Sequence, residues 1–167
     1  MTVKKNLVLE DAQVRQKIRR MAYEIFENNF DEKTIVLAGI DGQGYALAQL
    51  LEKEILVISP LEVITTKVKM DKVTPQKGEV LLDMNLDDLK KKAIVLIDDV
   101  LNTGRTLAYG MKPFLSIEVK KIEVAVLVNR SHPLFPVQPN YTGYELSTTL
   151  TDHVEVVLGK KSAVYLH

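Results

Sequence analysis

Val95-Leu-Ile-Asp-Asp-Val-Leu-Asn-Thr-Gly-Arg-Thr106 reads as an apolar strand that hands two carboxylates to a short polar loop. The loop, Asn102, Thr103, Gly104 and Arg105, then opens a helix at Thr106. Backbone N–H groups at a helix start have no intrahelical acceptor, so they favour an anion. Thr103 and Thr106 add hydroxyl donors, and Gly104 permits close approach or a turn with positive φ. Asp98 and Asp99 would repel a bare phosphate. Beside an anion site, such a pair makes sense if it faces vicinal hydroxyls or a divalent cation. A ribose 5-phosphate unit has all of these parts. The stretch lacks the lysine of G-x-x-x-x-G-K-[ST], so it is not a nucleoside-triphosphate P-loop. A plain strand–turn–helix capped by Asp is the alternative, and it leaves the acidic pair without a purpose.

Around this stretch, strands and helices alternate. Thr34–Ile40, Ala93–Ile97 and Ile122–Val128 are apolar runs of buried-strand type. Val14, Ile18, Met21, Ala22 and Ile25 fall on one face of a helix that Asn28 and Asn29 end. Further helices are expected from about Tyr45 to Glu54 and from Thr106 to Leu115. An apolar run, Ile55 to Ser59, follows the first of these, and Leu61–Lys69 reads as a strand. Val154–Leu158 and Ser162–Leu166 pair as a hairpin across Gly159-Lys-Lys161. This order predicts an α/β fold: a mostly parallel twisted sheet with helices on both faces. Ligands of such sheets bind beyond the carboxyl ends of the strands, where the turns 39–44 and 98–106 both lie.

The 167 residues suit a single domain spanning 1–167. Lys+Arg and Asp+Glu both number 22, which argues against a nucleic-acid binder that uses its whole surface. The absence of Cys excludes a disulfide scaffold and thiolate metal sites and fits a cytoplasmic protein. No apolar run approaches the ~20 residues of a membrane span, and the first ten residues hold no secretory signal. From Met70 to Lys92 the periodicity weakens. Pro75, Gly78 and many charges predict a flexible loop, with a short strand near Val80–Leu82. His132, His153 and His167 show no metal-ligand spacing.

The 95–106 stretch resembles the signature of the type I phosphoribosyltransferases, which bind 5-phosphoribosyl 1-pyrophosphate. Leu127-Val-Asn-Arg-Ser-His132, Asn140-Tyr-Thr-Gly143 and Arg20-Met-Ala-Tyr-Glu-Ile25 are similar to the bifunctional pyrimidine-operon attenuator/uracil phosphoribosyltransferase group. The resemblance implies transfer of a phosphoribosyl group to a nucleobase, with release of pyrophosphate. It implies that Asp98 and Asp99 hold the ribose hydroxyls and that Asn102, Thr103, Gly104, Arg105 and Thr106 hold the 5-phosphate. It further implies that the turn Ile40, Asp41, Gly42, Gln43 and Gly44 faces pyrophosphate. Mg²⁺ completes such a site, held by pyrophosphate and ribose and by Asp98 or Asp99. A small C-terminal hood, about 130–153, would cover the base. This chain departs from the group in two places. Asp41 and Gln43 stand where basic residues are usual, and the middle loop lacks a Tyr-Arg-Asp-Asp-like motif. Lys67, Lys69, Lys72 and Lys77 are the cations near enough in sequence to compensate.

Uracil is the expected base. Enzymes of this fold that take 6-oxopurines carry an acid at the position of Asn102, and asparagine does not titrate. A second reading is a nucleotide-sensing RNA-binding attenuator of pyrimidine genes with weak or no catalysis, its RNA contacts at Arg15, Arg19 and Arg20. A homodimer or higher assembly is also expected. Leu134-Phe-Pro-Val137 is an apolar run with no helix or strand to bury it, and a two-fold contact would cover it.

Overall fold

The computed structural model describes residues 4–167. Its centre is a six-stranded sheet of β2 (Thr34–Ile40), β3 (Glu62–Lys69), β4 (Leu81–Leu82), β5 (Ala93–Leu101), β6 (Lys121–Asn129) and β7 (Tyr141–Glu145). The strands lie in the order β4-β3-β2-β5-β6-β7. All neighbours run parallel except β4, which is antiparallel to β3. Along β2, Ile35 and Leu37 face one apolar cluster while Val36, Ala38 and Ile40 face another. Ala93, Val95 and Ile97 of β5 alternate with Ile94 and Leu96 in the same way. Burial on both faces is why these strands read as continuous apolar runs.

Helices α1 (Asp11–Asn28) and α2 (Gln43–Ile58) cover the first face. Gln13 begins α1 by accepting the Glu10 N–H at 2.9 Å. Its buried stripe is the predicted one: Val14, Ile18, Met21, Ala22 and Ile25. The run Ile55–Ser59 belongs largely to α2. Ile55 continues the buried stripe of Gly44, Leu47, Ala48 and Leu51, while Leu56 and Val57 are exposed. The other face carries α3 (Arg105–Gly110) and α4 (Lys112–Leu115). The sequence predicts one helix there. Pro113, which lacks an N–H, lies at the start of α4 and separates the two.

A second, antiparallel sheet joins β1 (Asn6–Leu9), β9 (Ala163–Leu166) and β8 (Val154–Val157), in the order β1-β9-β8. The predicted hairpin forms its β8–β9 half, and β1 is an unpredicted partner. Tyr141–Glu145, read from the sequence only as part of a hood, is the edge strand of the main sheet. The middle excursion is partly anchored. β4 pairs with β3, Asp83 accepts the Thr66 hydroxyl at 2.6 Å and the Lys67 N–H at 2.9 Å, and Leu89 in a 3₁₀ turn (Leu86–Leu89) is fully buried. These anchors all lie beyond residue 80, which leaves 70–80 as the stretch with no strand pairing and no such tie to β3. Within Leu134-Phe-Pro-Val137, Val137 is buried and Phe135 packs on the same cluster, which leaves Leu134, 81% exposed, and the neighbouring Pro136 as the apolar surface for a two-fold contact.

Candidate active site

Strand β5 carries its pairing past the acids, with Asp98 opposite Val126 and Leu101 opposite Asn129. Asp98 is buried, Asp99 half-buried, and Asp98 Oδ1 accepts the Asp99 N–H at 2.9 Å. Burial pushes the Asp98 carboxyl well above the usual carboxylate range. The charge of Asp99 adds to this, and Lys72 opposes it. The chain then turns at Gly104, whose φ of 86° is left-handed. Thr103 Oγ1 accepts the Arg105 N–H at 3.3 Å, and the Gly104 carbonyl accepts the Ala108 N–H at 2.9 Å to begin α3. The Thr103 carbonyl accepts the N–H groups of Leu134 and Phe135, so the proline-rich stretch braces this loop from outside.

These residues line a cavity of about 300 Å³. One wall is Asp98 to Leu107. The other is His153 to Val156 on and beside β8, and Lys72 reaches in from the middle loop. Asp98, Asp99, Asn102, Thr103, Gly104, Arg105 and Thr106 thus meet at one place. The Arg105 guanidinium reaches outward, donating to Gln76 Oε1 at 2.8 Å.

The turn from Ile40 into the first residues of α2 lies against the same strand tip. A Cβ on Gly44 would stand 3.1 Å from both Cα and Oδ1 of Asp98 and 2.9 Å from the Ile97 carbonyl oxygen. Only glycine allows this approach. The turn's side chains take separate roles. Ile40 is in the core. Asp41 accepts the Gly42 N–H and faces Lys67, 3.8 Å away. Gln43 is committed elsewhere, accepting the Leu158 N–H at 2.9 Å and so tying α2 to the small sheet. Lys67 also lies over the Tyr45 ring, 4.7 Å from its centre. Lys72 Nζ lies 3.7 Å from where a Gly42 Cβ would be, so it stands between the turn and the acids.

The three arginines on the basic face of α1 have acidic partners on α1 itself or on α2. Arg15 pairs with Asp11, Arg19 with Glu54 and Arg20 with Glu24. Arg20 also donates to the Gly143 carbonyl at 2.6 Å, and Lys17 lies over the Tyr144 ring.

Sequence reasoning missed two parts of the site. The β8 wall has no local signature, because only the pairing of distant strands brings it here. Arg130 had a signal: it directly follows the buried strand β6, at the carboxyl edge beside β5. Its guanidinium donates to Asn102 Oδ1, Thr148 Oγ1 and the carbonyls of Thr149 and Asp152. Among the described residues no group of three His, Asp or Glu is placed to hold a metal ion.

Residues 8–159 match the family described as phosphoribosyl transferase domain. A bifunctional protein PyrR from Fusobacterium nucleatum is 32% identical, over 99% of this chain and 100% of its own length. One from Macrococcus caseolyticus is 30% identical, over 97% of this chain and 98% of its own. The structure of a hypoxanthine-guanine phosphoribosyltransferase from Bacillus anthracis shares the fold with a TM-score of 0.73 at 17% identity, covering 88% of this chain and 85% of that one. The hypoxanthine phosphoribosyltransferase of Trypanosoma cruzi gives 0.73 at 14% identity, covering 84% and 81%. With a family match across most of its length and relatives that align end to end, this chain belongs to the phosphoribosyl transferase domain family and is a phosphoribosyltransferase.

Proposed function

We propose that the protein joins uracil to C1 of 5-phosphoribosyl 1-pyrophosphate, giving uridine monophosphate and pyrophosphate. The observation that carries this reading is that the buried Asp98 and half-buried Asp99 share one cavity wall with the Thr103–Thr106 loop. In the proposed reaction the C1–O bond to pyrophosphate breaks, and the oxygen keeps the electron pair. A ring nitrogen of the base bonds to C1, and its proton passes to solvent. Positive charge develops on the ribose ring, so the protein's work is positioning and charge stabilisation. Asp98 and Asp99 orient the ribose hydroxyls and stabilise that charge. Asn102, Thr103, Gly104, Arg105 and Thr106 anchor the 5-phosphate, a remote handle whose binding energy aligns C1. Backbone from Ile40 to Gly44 faces pyrophosphate, and Lys72 supplies the positive charge that Asp41 and Gln43 lack.

The donor set fits Mg²⁺, which binds through one or two carboxylates plus substrate phosphates rather than in an all-protein cage. Asp98 and Asp99 would hold it together with the ligand's oxygens, and when bound it neutralises pyrophosphate as a leaving group. Calorimetry with phosphoribosyl pyrophosphate and Mg²⁺, followed by a uracil transfer assay, tests the reading. No binding at millimolar ligand, or no loss in the Asp98→Ala/Asp99→Ala double variant, defeats it.

The relatives' printed name, bifunctional, supports a second role. RNA binding by the α1 face is its candidate, although Arg15, Arg19 and Arg20 already have acidic partners. A gel shift with pyrimidine-operon leader RNA, with and without uridine monophosphate, decides it. Binding that is merely salt-sensitive and sequence-independent counts against it. We also propose a cytoplasmic homodimer or higher assembly. A light-scattering mass near 18.8 kDa at micromolar concentration would refute self-association.

A further inference from the structure

Arg130 links the two walls of the cavity. Its backbone N–H bonds the Leu101 carbonyl at 3.2 Å. Its Nη1 donates to Asn102 Oδ1 at 2.7 Å. Its Nε donates to Thr148 Oγ1 at 3.0 Å, and its Nη2 donates to the carbonyls of Thr149 and Asp152 at 3.2 and 2.6 Å. His132 Nε2 makes a second tie to the same segment, at the Thr148 carbonyl, 2.8 Å away. The chain passes from Asp152 directly into His153–Val156, the wall opposite Asn102.

A guanidinium is donor-only. The Asn102 amide must therefore turn its oxygen to Arg130, because the flipped amide would set N–H against N–H. The amide nitrogen, with its two donors, is left for the cavity that Asn102 lines. We propose that Arg130 is a positioning residue that fixes Asn102 as a donor-only reader of the base. The site then selects a nucleobase that presents an oxo group there and rejects an isosteric one that presents an exocyclic amino group. This rests on the proposed placement of the ribose phosphate in the 102–106 loop, which brings the base to Asn102.

Uridine and cytidine monophosphates test it, since they differ in the oxo or amino group at one ring edge and share the ribose phosphate. Calorimetry on the wild type should give tighter binding of the uridine nucleotide by about tenfold or more, because a donor facing a donor leaves both unpaired. Asn102→Asp would keep the bond to Arg130 but offer an acceptor to the cavity, so the preference should reverse. Asn102→Leu should abolish it. Arg130→Met, which has no N–H donor to hold the Asn102 oxygen, frees the amide to rotate and should bring the two nucleotides to within about threefold of each other, with ribose 5-phosphate still bound. A merely structural Arg130 would weaken both nucleotides together and leave their ratio alone. An unchanged ratio in both Asn102→Asp and Arg130→Met overturns the proposal, and Asn102→Asp decides alone if Arg130→Met does not fold. Equal wild-type affinities with ribose 5-phosphate still bound overturn it while leaving the proposed function standing. Loss of ribose 5-phosphate binding in the wild type defeats both.

Discussion

Asp98 combines burial with charge, and this has a consequence for stability. Its carboxyl has a higher pKa in the fold than in the unfolded chain, because burial and Asp99 both disfavour ionisation there. The neutral form is thus the one the fold favours. The associated stability is fully present below the ordinary carboxylate pKa and is lost as pH rises through the folded value. An asparagine side chain in its place imitates the neutral form. We expect Asp98→Asn to melt with the wild type near pH 4 and a few degrees above it near pH 8, while transfer activity falls by ~100-fold or more at either pH. At the amino end of β6, Glu123 accepts from the Tyr141 hydroxyl at 2.9 Å and from Asn29 Nδ2 at 3.1 Å, all buried. Tyr141→Phe should cost about 1–3 kcal/mol in a denaturant titration by leaving part of Glu123 unpaired, with substrate affinity unchanged. The acids of the site were legible in the sequence because their spacing is local. Gln43 was not: it stands in the predicted pyrophosphate turn, yet its partner Leu158 lies 115 residues away.

Among the elements, the turn before α2 is held by contact between backbones. A Cβ on Gly39 would stand 2.6 Å from Tyr45 Cα and 2.8 Å from the Gly44 carbonyl oxygen, where no side chain can yield. Gly39→Ala should therefore destabilise by about 1–3 kcal/mol and lower affinity for phosphoribosyl pyrophosphate, both measurable on one purified variant. The middle loop gives a contrasting pair. Lys72 lines the cavity, whereas Lys77 does not. Lys72→Ala should weaken pyrophosphate-bearing ligands by about tenfold, and Lys77→Ala should bind as the wild type does. Hydrogen exchange should be fast across 70–80 in the free protein and slow down with ligand, with 81–92 protected throughout. Equal rates with and without ligand would mean that the loop does not close. The strands β2, β5 and β6 and helix α1 were legible because each repeats its period over many residues. β1 and β7 are only four and five residues long and acquire their strand character from neighbours. The break between α3 and α4 is marked in the sequence by Pro113, which has no N–H to continue the helix.

For the molecule as a whole, the small sheet pairs Asn6 with Leu166, so the two ends of the described chain lie side by side. A circular permutant that joins these ends by a short linker and opens the chain at the exposed Gly78 should fold with a similar melting temperature. It should lose affinity for phosphoribosyl pyrophosphate, since the opening cuts the segment that carries Lys72. The same pairing also sets an order of assembly in the cell. A ribosome releases β1 first, and its partner β9 only after some 150 further residues, while β8 waits for the same strand. The six strands of the main sheet are complete at Glu145, before either strand of the β8–β9 hairpin, and at that point the cavity has a single wall. A chain that has not yet delivered its last hairpin therefore holds all six strands of the main sheet but lacks the cavity wall from His153 to Val156 and the strand that β8 pairs with, so ligand can steady the fold only at the last step.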